Sequence, residues 1–220
     1  IFFVKYLILC RKCIDDAQNY VPEFLDTIID QSLKCISGIL TPSNQIPLFN
    51  GGTEDNLEQF INFSNMPDFR SKNKKRFIGG IQIFVNKNNA LFFEVGEPPK
   101  KGFSQSYQSG PLSFEYYLDG EKIITNCGFG SNISPKAELL SRLTSAQSTL
   151  TLNDTSVTKF ERNRLINKTF GNSIKNTFKI KNSDSIEDKN QIKFIASHNG
   201  YEKNFGCIHK REISIDKFKG

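Results

Sequence analysis

A chain of 220 residues, 37% of them hydrophobic and 24% charged, is long enough for one large domain or two small ones and has the balance of a soluble globular protein. Its five cysteines, Cys10, Cys13, Cys35, Cys127 and Cys207, are odd in number and scattered, which excludes a disulfide framework. The net charge of +6 favours anionic partners weakly, and 20 Phe with no Trp read as a coding bias rather than a functional signature.

The opening IFFVKYLILC has the apolar character of a signal-peptide core, but Lys5 interrupts it, it is too short to span a bilayer, and no small-residue cleavage site follows. An amphipathic helix fits better. Phe3, Leu7, Cys10, Ile14 and Ala17 recur at helical spacing. After Pro22, Leu25, Ile29, Leu33, Ile36 and Leu40 do nearly the same, which predicts two antiparallel helices over residues 2–40. Cys10 and Cys13 are expected to pack as small hydrophobes rather than to serve a metal or redox role. TPSNQIPLFNGG then makes a shaped loop, and a short helix with Thr53 as N-cap would bury Leu57, Phe60 and Ile61. Residues 70–76, RSKNKKR, read as a solvated linker, the alternative being a patch for an acidic polysaccharide or nucleic acid.

From Arg76 the period changes to alternation, with Ile81, Ile83 and Val85, a turn at NKNN, then Leu91, Phe93 and Val95. Further strands are predicted at 112–118, 121–127, 148–153, 191–196 and 206–215, and residues 170–190 read as one weak strand and a mobile loop. Asp119-Gly120 is the strongest hairpin signal, because a type I′ turn needs positive φ at both positions. A two-residue turn pairs Leu118 with Glu121, Phe114 with Thr125 and Ser113 with Asn126. Leu112, Phe114, Tyr116, Leu118, Ile123 and Cys127 then share a buried face, and Ser113, Glu115, Tyr117, Lys122 and Asn126 a polar one.

Five segments in order, IPLFNGGTE, GGIQIF, GPLSFEYYLDGEKIITNCG, SRLTSAQSTLTLNDTS and HNGYEKNFGCIHKREI, resemble the heparinase II/III-like proteins, particularly the form common in alphaproteobacteria. The resemblance runs from about Leu48 to Ile215. It implies an α+β fold by segment: residues 1–66 as the last helices of an (α/α) toroid, 67–75 as a basic linker, and 76–220 as most of an antiparallel β-sandwich. A chain that opens on Ile1 and closes on KFKG after a strand-like run reads as part of a longer protein, with most of the toroid upstream. The implied activity is β-elimination on an acidic, uronate-containing polysaccharide, in which a base removes the proton α to the carboxylate, the carboxylate is neutralised, and Tyr or His protonates the leaving oxygen. The alternative is a non-catalytic carbohydrate-binding or envelope protein that keeps the architecture.

Residue by residue, the resemblance puts Gln108 at the place of a His and Asn126 at the place of an Asp that help to hold a structural Zn²⁺ in metal-binding relatives. Amides are poor ligands for Zn²⁺, so neither a metal nor another cofactor is expected. Arg142 matches a family Arg, and Gln147 stands where His is usual; a Gln cannot accept and release a proton near neutral pH. Arg142, Gln147, Asn126 and Gln108 are therefore the candidate substrate-binding groups, Arg142 as a carboxylate or sulfate clamp or, equally, as a structural ion pair. His198, in SHNGY, and Tyr107 are the candidate catalytic residues, with His209 as a further titratable group. Tyr201 reads as a packing residue, and Cys207, His209 and His198 lack a fourth ligand for a metal cluster. The expected partner is an acidic polysaccharide, without nucleic acid or a membrane span. Oligomeric state and compartment, periplasmic or cytoplasmic, stay open.

Overall fold

Leu25, Ile29, Leu33 and Ile36 recur every three or four residues along Glu23–Gly38, and all four are buried on one side of the helix α2 that these residues form. This side packs against α1, Phe2–Asp16. The computed structural model describes residues 1–41, 43–54, 57, 60, 76–163, 165–167 and 171–217. In α1 only Val4 is fully buried, with Leu7, Ile8 and Ile14 partly so, while Phe3, Cys10 and Cys13 are exposed. The predicted stripe is thus displaced by about one residue, and the two thiols are not packed as small hydrophobes. Leu57 and Phe60 join the same cluster, as expected; Ile61 and residues 70–75 of the basic run lie outside the described residues.

Five strands follow one another as an antiparallel meander, in the order β1 Phe77–Ile78, β2 Ile81–Val85, β3 Asn89–Glu94, β4 Phe114–Leu118 and β5 Glu121–Ile124. After a short helix, α3 (Pro135–Ser141), a second antiparallel sheet is built from β6 Ile180–Glu187, β7 Gln191–His198 and β8 His209–Asp216, with α4 (Glu202–Phe205) between the last two. The sheets pack through Phe84, Leu91, Phe93 and Leu112 on one side and Ile192, Phe194, Ala196 and Ile215 on the other. Phe93 and Phe194 stack across this core at 6.4 Å. Arg211 of β8 reaches back to the first sheet, where Nη1 donates to the carbonyls of Leu112 and Ser148, both at 2.7 Å.

The opposite face of the first sheet is covered as well. Ile83, Ala90, Phe92 and Tyr117 pack on Phe49 and, at the margin, on Ile39 beyond the end of α2. This corrects the expectation of a polar, solvated face on β4. Alternation sorts the side chains into the two sets that the sequence predicts, yet Ser113, Glu115 and Tyr117 are 0–1% exposed, and Asn126 is 2% exposed. The sheet has a helical segment on one side and a second sheet on the other, so the Glu115 and Tyr117 face of β4 is shut off from water, whereas on the face expected to be buried Phe114 and Tyr116 are half-buried and Leu118, at the turn, is exposed.

The Asp119-Gly120 turn forms with positive φ at both residues, and Leu118 pairs with Glu121. Tyr117 then pairs with Lys122 but Tyr116 with Ile124, a bulge that ejects Ile123 to 57% exposure. The predicted pairings of Phe114 with Thr125 and Ser113 with Asn126 fail for this reason, and Cys127 is exposed rather than buried. Residues 148–153 are no strand. A 3₁₀ turn at Thr144–Ala146 precedes them, and Leu152 pairs only with Thr155 around Asn153 and Asp154, both at positive φ. The weak strand foreseen within 170–190 is β6, an edge strand with almost every residue exposed. No helix among the described residues is long and apolar enough to cross a membrane.

Truncating Phe194 to Ala should cost about 3–5 kcal/mol in denaturant unfolding, whereas Ile123→Ala should stay within about 0.5 kcal/mol. Equal losses would contradict the bulge that puts Ile123 outside the core.

Candidate functional site

Where the loop after α2 meets the first sheet, a polar junction is buried. The loop turns tightly at Asn50 and Gly51, both at positive φ, with Gly52 N–H donating to the Phe49 carbonyl at 2.9 Å. This turn aims the Asn50 amide at β3, where Nδ2 donates to Glu94 Oε1 at 2.6 Å. Ser113 Oγ donates to Glu94 Oε2 at 3.1 Å. Gln108 closes the junction from a third direction: its Oε1 accepts from Gly51 N–H at 3.0 Å and its N–H donates to Asn50 Oδ1 at 3.3 Å. No cation contacts Glu94 among the described residues, and burial raises its pKa from 4.5 to about 7 against the opposing hydrogen bonds of Asn50 and Ser113.

Gln108 and Gln147, distant in sequence, converge on one acceptor. Gln108 Nε2 donates to the Ser141 carbonyl at 3.0 Å and to that of Gly128 at 2.9 Å, while Gln147 Nε2 donates to Ser141 at 2.7 Å. Cys127 Sγ lies 3.6 Å from the same carbonyl. Asn126 faces elsewhere: its Oδ1 accepts from the N–H of Ser148 at 2.9 Å and from Ser148 Oγ at 3.1 Å. Its own N–H donates to Glu115 Oε1 at 2.9 Å, and Glu115 also accepts from Tyr117 Oη at 2.6 Å.

These residues do not fit the Zn²⁺ that the resemblance attaches to metal-binding relatives. A metal needs lone pairs pointing inward, whereas Gln108 and Gln147 both present N–H groups to a backbone carbonyl. No group of three His, Cys, Asp or Glu suited to a metal occurs among the described residues.

Arg142 is 0% exposed, which corrects its reading as a clamp for substrate, and it forms no ion pair among the described residues, which corrects the alternative. Nε donates to the Tyr107 carbonyl at 2.9 Å, Nη1 to Asn172 and Nη2 to Ser104, both at 2.6 Å, and the guanidinium lies 4.1 Å from the centre of the Phe160 ring. Burial lowers its pKa to about 10, so it stays charged. Its work is to tie three loop segments together. Tyr107 is 4% exposed, and its hydroxyl is raised well above the usual phenol range by burial first and then by the charge of Glu94.

His198 is also enclosed, at 0% exposure. Nδ1 accepts from Gly200 N–H at 2.9 Å, which leaves the proton on Nε2, 3.0 Å from His209 Nδ1. Burial, then the charges of His209 and Arg211, depress His198 to about 3, and burial and Arg211 depress His209 to about 4. Both rings are neutral near pH 7, with their facing nitrogens bonded to one another. Tyr201 packs beside them, as expected, and donates through Oη to the Leu150 carbonyl at 2.9 Å.

The sequence reading missed Glu94, Asn50 and Glu115. Glu94 carried a signal: it is the one acid at the end of ALFFEV, a run apolar on both faces, where a solvated strand would alternate.

The sequence profile described as "Heparinase II/III-like, C-terminal" matches residues 75–219. The chain belongs to the heparinase II/III-like family. Its fold is similar to that of a mutant of heparan sulfate lyase HepC from Pedobacter heparinus, with TM-score 0.61 and 15% identity over 97% of this chain and 34% of that one. A heparinase III structure matches with TM-score 0.62 and 12% identity over 96% of this chain and 36% of the other. The chain thus spans about one third of the length of these structures. No curated protein matches it.

Two measurements check the site. Because Glu94 is raised in the folded state, its protonated form stabilises the fold fully below about pH 4.5, and that stability falls as pH rises to about 7. Glu94→Gln should flatten the decline, worth up to about 3 kcal/mol in urea unfolding. In an NMR titration neither His198 nor His209 should change protonation between about pH 5 and pH 8; a midpoint near 6.5 for either would break the paired arrangement.

Proposed function

We propose that the chain is the β-sandwich portion, with the last toroid helices in residues 1–66 and a basic linker at 67–75, of a polysaccharide lyase or lyase relative acting by β-elimination on an acidic, uronate-containing polysaccharide. The family match over residues 75–219 carries this reading, and the likeness to a heparan sulfate lyase supports it. In this reading the sandwich is a rigid wall of the substrate cleft. Tyr107 and His198 are enclosed and neutral, so they position the wall, and the base and acid come from residues beyond those described. Asn50 is the exposed member of the junction, and Glu94 beneath it, raised to about 7 by burial, is only partly ionised near neutral pH, which lessens its repulsion of a uronate.

The second reading, a non-catalytic carbohydrate-binding or envelope relative, is favoured by one feature. Gln108, Gln147 and Asn126 are each bonded inside the fold, and none can carry a proton. This chain by itself is expected to be inactive, so incubating the full-length protein with a panel of polyuronides and sulfated glycans, while following the ultraviolet absorbance of the new C=C bond, separates the two. A rising signal on at least one polymer is expected; flat traces on every polymer that the protein still binds would move the conclusion to the second reading.

A further inference from the structure

A group of basic side chains without ion pairs among the described residues lies away from the junction. Residues 157–161 and 173–176 run beside each other as a small ribbon: Lys175 N–H donates to the Lys159 carbonyl at 2.7 Å and Glu161 N–H to that of Ser173 at 2.8 Å. Asn176 locks it, accepting from Lys159 N–H at 2.5 Å and donating to the Val157 carbonyl at 2.9 Å. Asn199 fastens the next segment, since Lys179 N–H donates to its Oδ1 at 2.8 Å. Lysines far apart in sequence are thereby set along one surface.

Two depressions lie on that surface and share Lys159 as their common wall. One, of about 600 Å³, has Lys159, Arg162 and Lys175 around it; the other, of about 680 Å³, has Lys159, Lys179 and Lys203. Asp154 in the first and Glu202 in the second are the opposing carboxylates. Lys175 pairs with Glu161 at 3.1 Å, but Lys159, Arg162, Lys179 and Lys203 are exposed and form no ion pair among the described residues. No lining residue belongs to α1, α2 or the Asn50 loop, so the groove is separate from the junction.

We infer that these two depressions form a binding groove for an extended anionic glycan, sulfated or carboxylated, that holds the polymer outside the proposed cleft. Cations distributed around two hollows that share Lys159 suit a chain carrying a charge on successive sugars rather than one compact anion. The rest of the lining favours sugar over nucleic acid. Asn204 offers an amide to hydroxyls, while Asn176 and Asn199 are already bonded to the backbone and to Glu202; the groove's two aromatic rings, Phe160 and Phe178, are 6% and 5% exposed and give bases nothing to stack on. The identity of the ligand as a glycan rests on the proposed function; the cationic groove itself does not.

The test uses the intact protein, a labelled sulfated glycosaminoglycan decasaccharide, and a single-stranded DNA of matched charge. The variant Lys159→Ala/Lys179→Ala/Lys203→Ala should bind the glycan about tenfold more weakly at low salt, and wild-type affinity should fall as salt rises. Removing three exposed lysines elsewhere, Lys12→Ala/Lys87→Ala/Lys189→Ala, should leave affinity within about twofold, which separates the groove from net charge. These are surface changes, and an unmoved unfolding midpoint confirms that each variant is folded. Equal affinity for the groove variant and wild type, or equal losses in both variants, overturns the groove. DNA that binds as tightly as the glycan overturns the glycan assignment. Absent turnover with binding lost only in the groove variant sinks the lyase reading and keeps the groove; turnover with unchanged binding does the reverse.

Discussion

Every residue of β3 is buried, and the fold is arranged around that fact. Leu91 and Phe93 face the second sheet while Ala90 and Phe92 face the loop and helix end, so one strand is the centre of two apolar cores. A strand in this position loses water on both faces, and any polar side chain on it must find partners inside the protein. Glu94 meets this demand with Asn50 and Ser113, and the left-handed Asn50-Gly51 turn is the geometry that delivers the first of them. The docking of the helical segment onto the sheet and the solvation of Glu94 are therefore one structural problem with one solution.

Three other internal groups are held by hydrogen bonds rather than ion pairs. Arg142 donates to three carbonyls, Arg211 to two, and Glu115 accepts from a phenol, a threonine hydroxyl and a backbone N–H. A guanidinium bonded to carbonyls keeps its charge and gains directional ties to several loops at once, which a single carboxylate partner would not give. The three candidate amides all bond inward: Gln108 uses both ends of its amide to tie segments 50–51, 128 and 141, whereas Gln147 donates through Nε2 to Ser141 and Asn126 accepts through Oδ1 from Ser148. Positions where chemistry was expected are occupied by groups that hold loops in place.

Much of the architecture was legible because it follows from short-range rules. The α2 stripe from Leu25 to Ile36, the Asp119-Gly120 turn and the alternation in β2 to β4 are set by period and turn chemistry, and each was found. What failed depended on what covers each face. Alternation separates Glu115 from Tyr116 but cannot tell that the Glu115 face lies under Phe49 and Ile39, residues more than sixty positions away. The one-residue bulge at Ile123 is likewise invisible to period-2 reading, and it moves every later partner on the strand. The site suffered most. Resemblance pointed to Gln108, Gln147 and Arg142, and these do gather around Ser104 to Gln108 and Ser141, but only coordinates show that their polar atoms turn inward.

The contrast between interior and surface cations bears on how this chain can meet a polyanion. Arg142 and Arg211 are spent on carbonyls and are unable to swing outward without breaking ties between loops and sheets. Lys159, Arg162, Lys179 and Lys203 bear no such duty among the described residues, and their flexible stems cost little to reposition on a polymer of irregular charge spacing. Long, solvated lysines favour loose, salt-sensitive engagement over tight geometric recognition. As the proposed groove, a surface of this kind suits retention of a glycan that slides or is exchanged, while the enclosed junction has no part in that engagement.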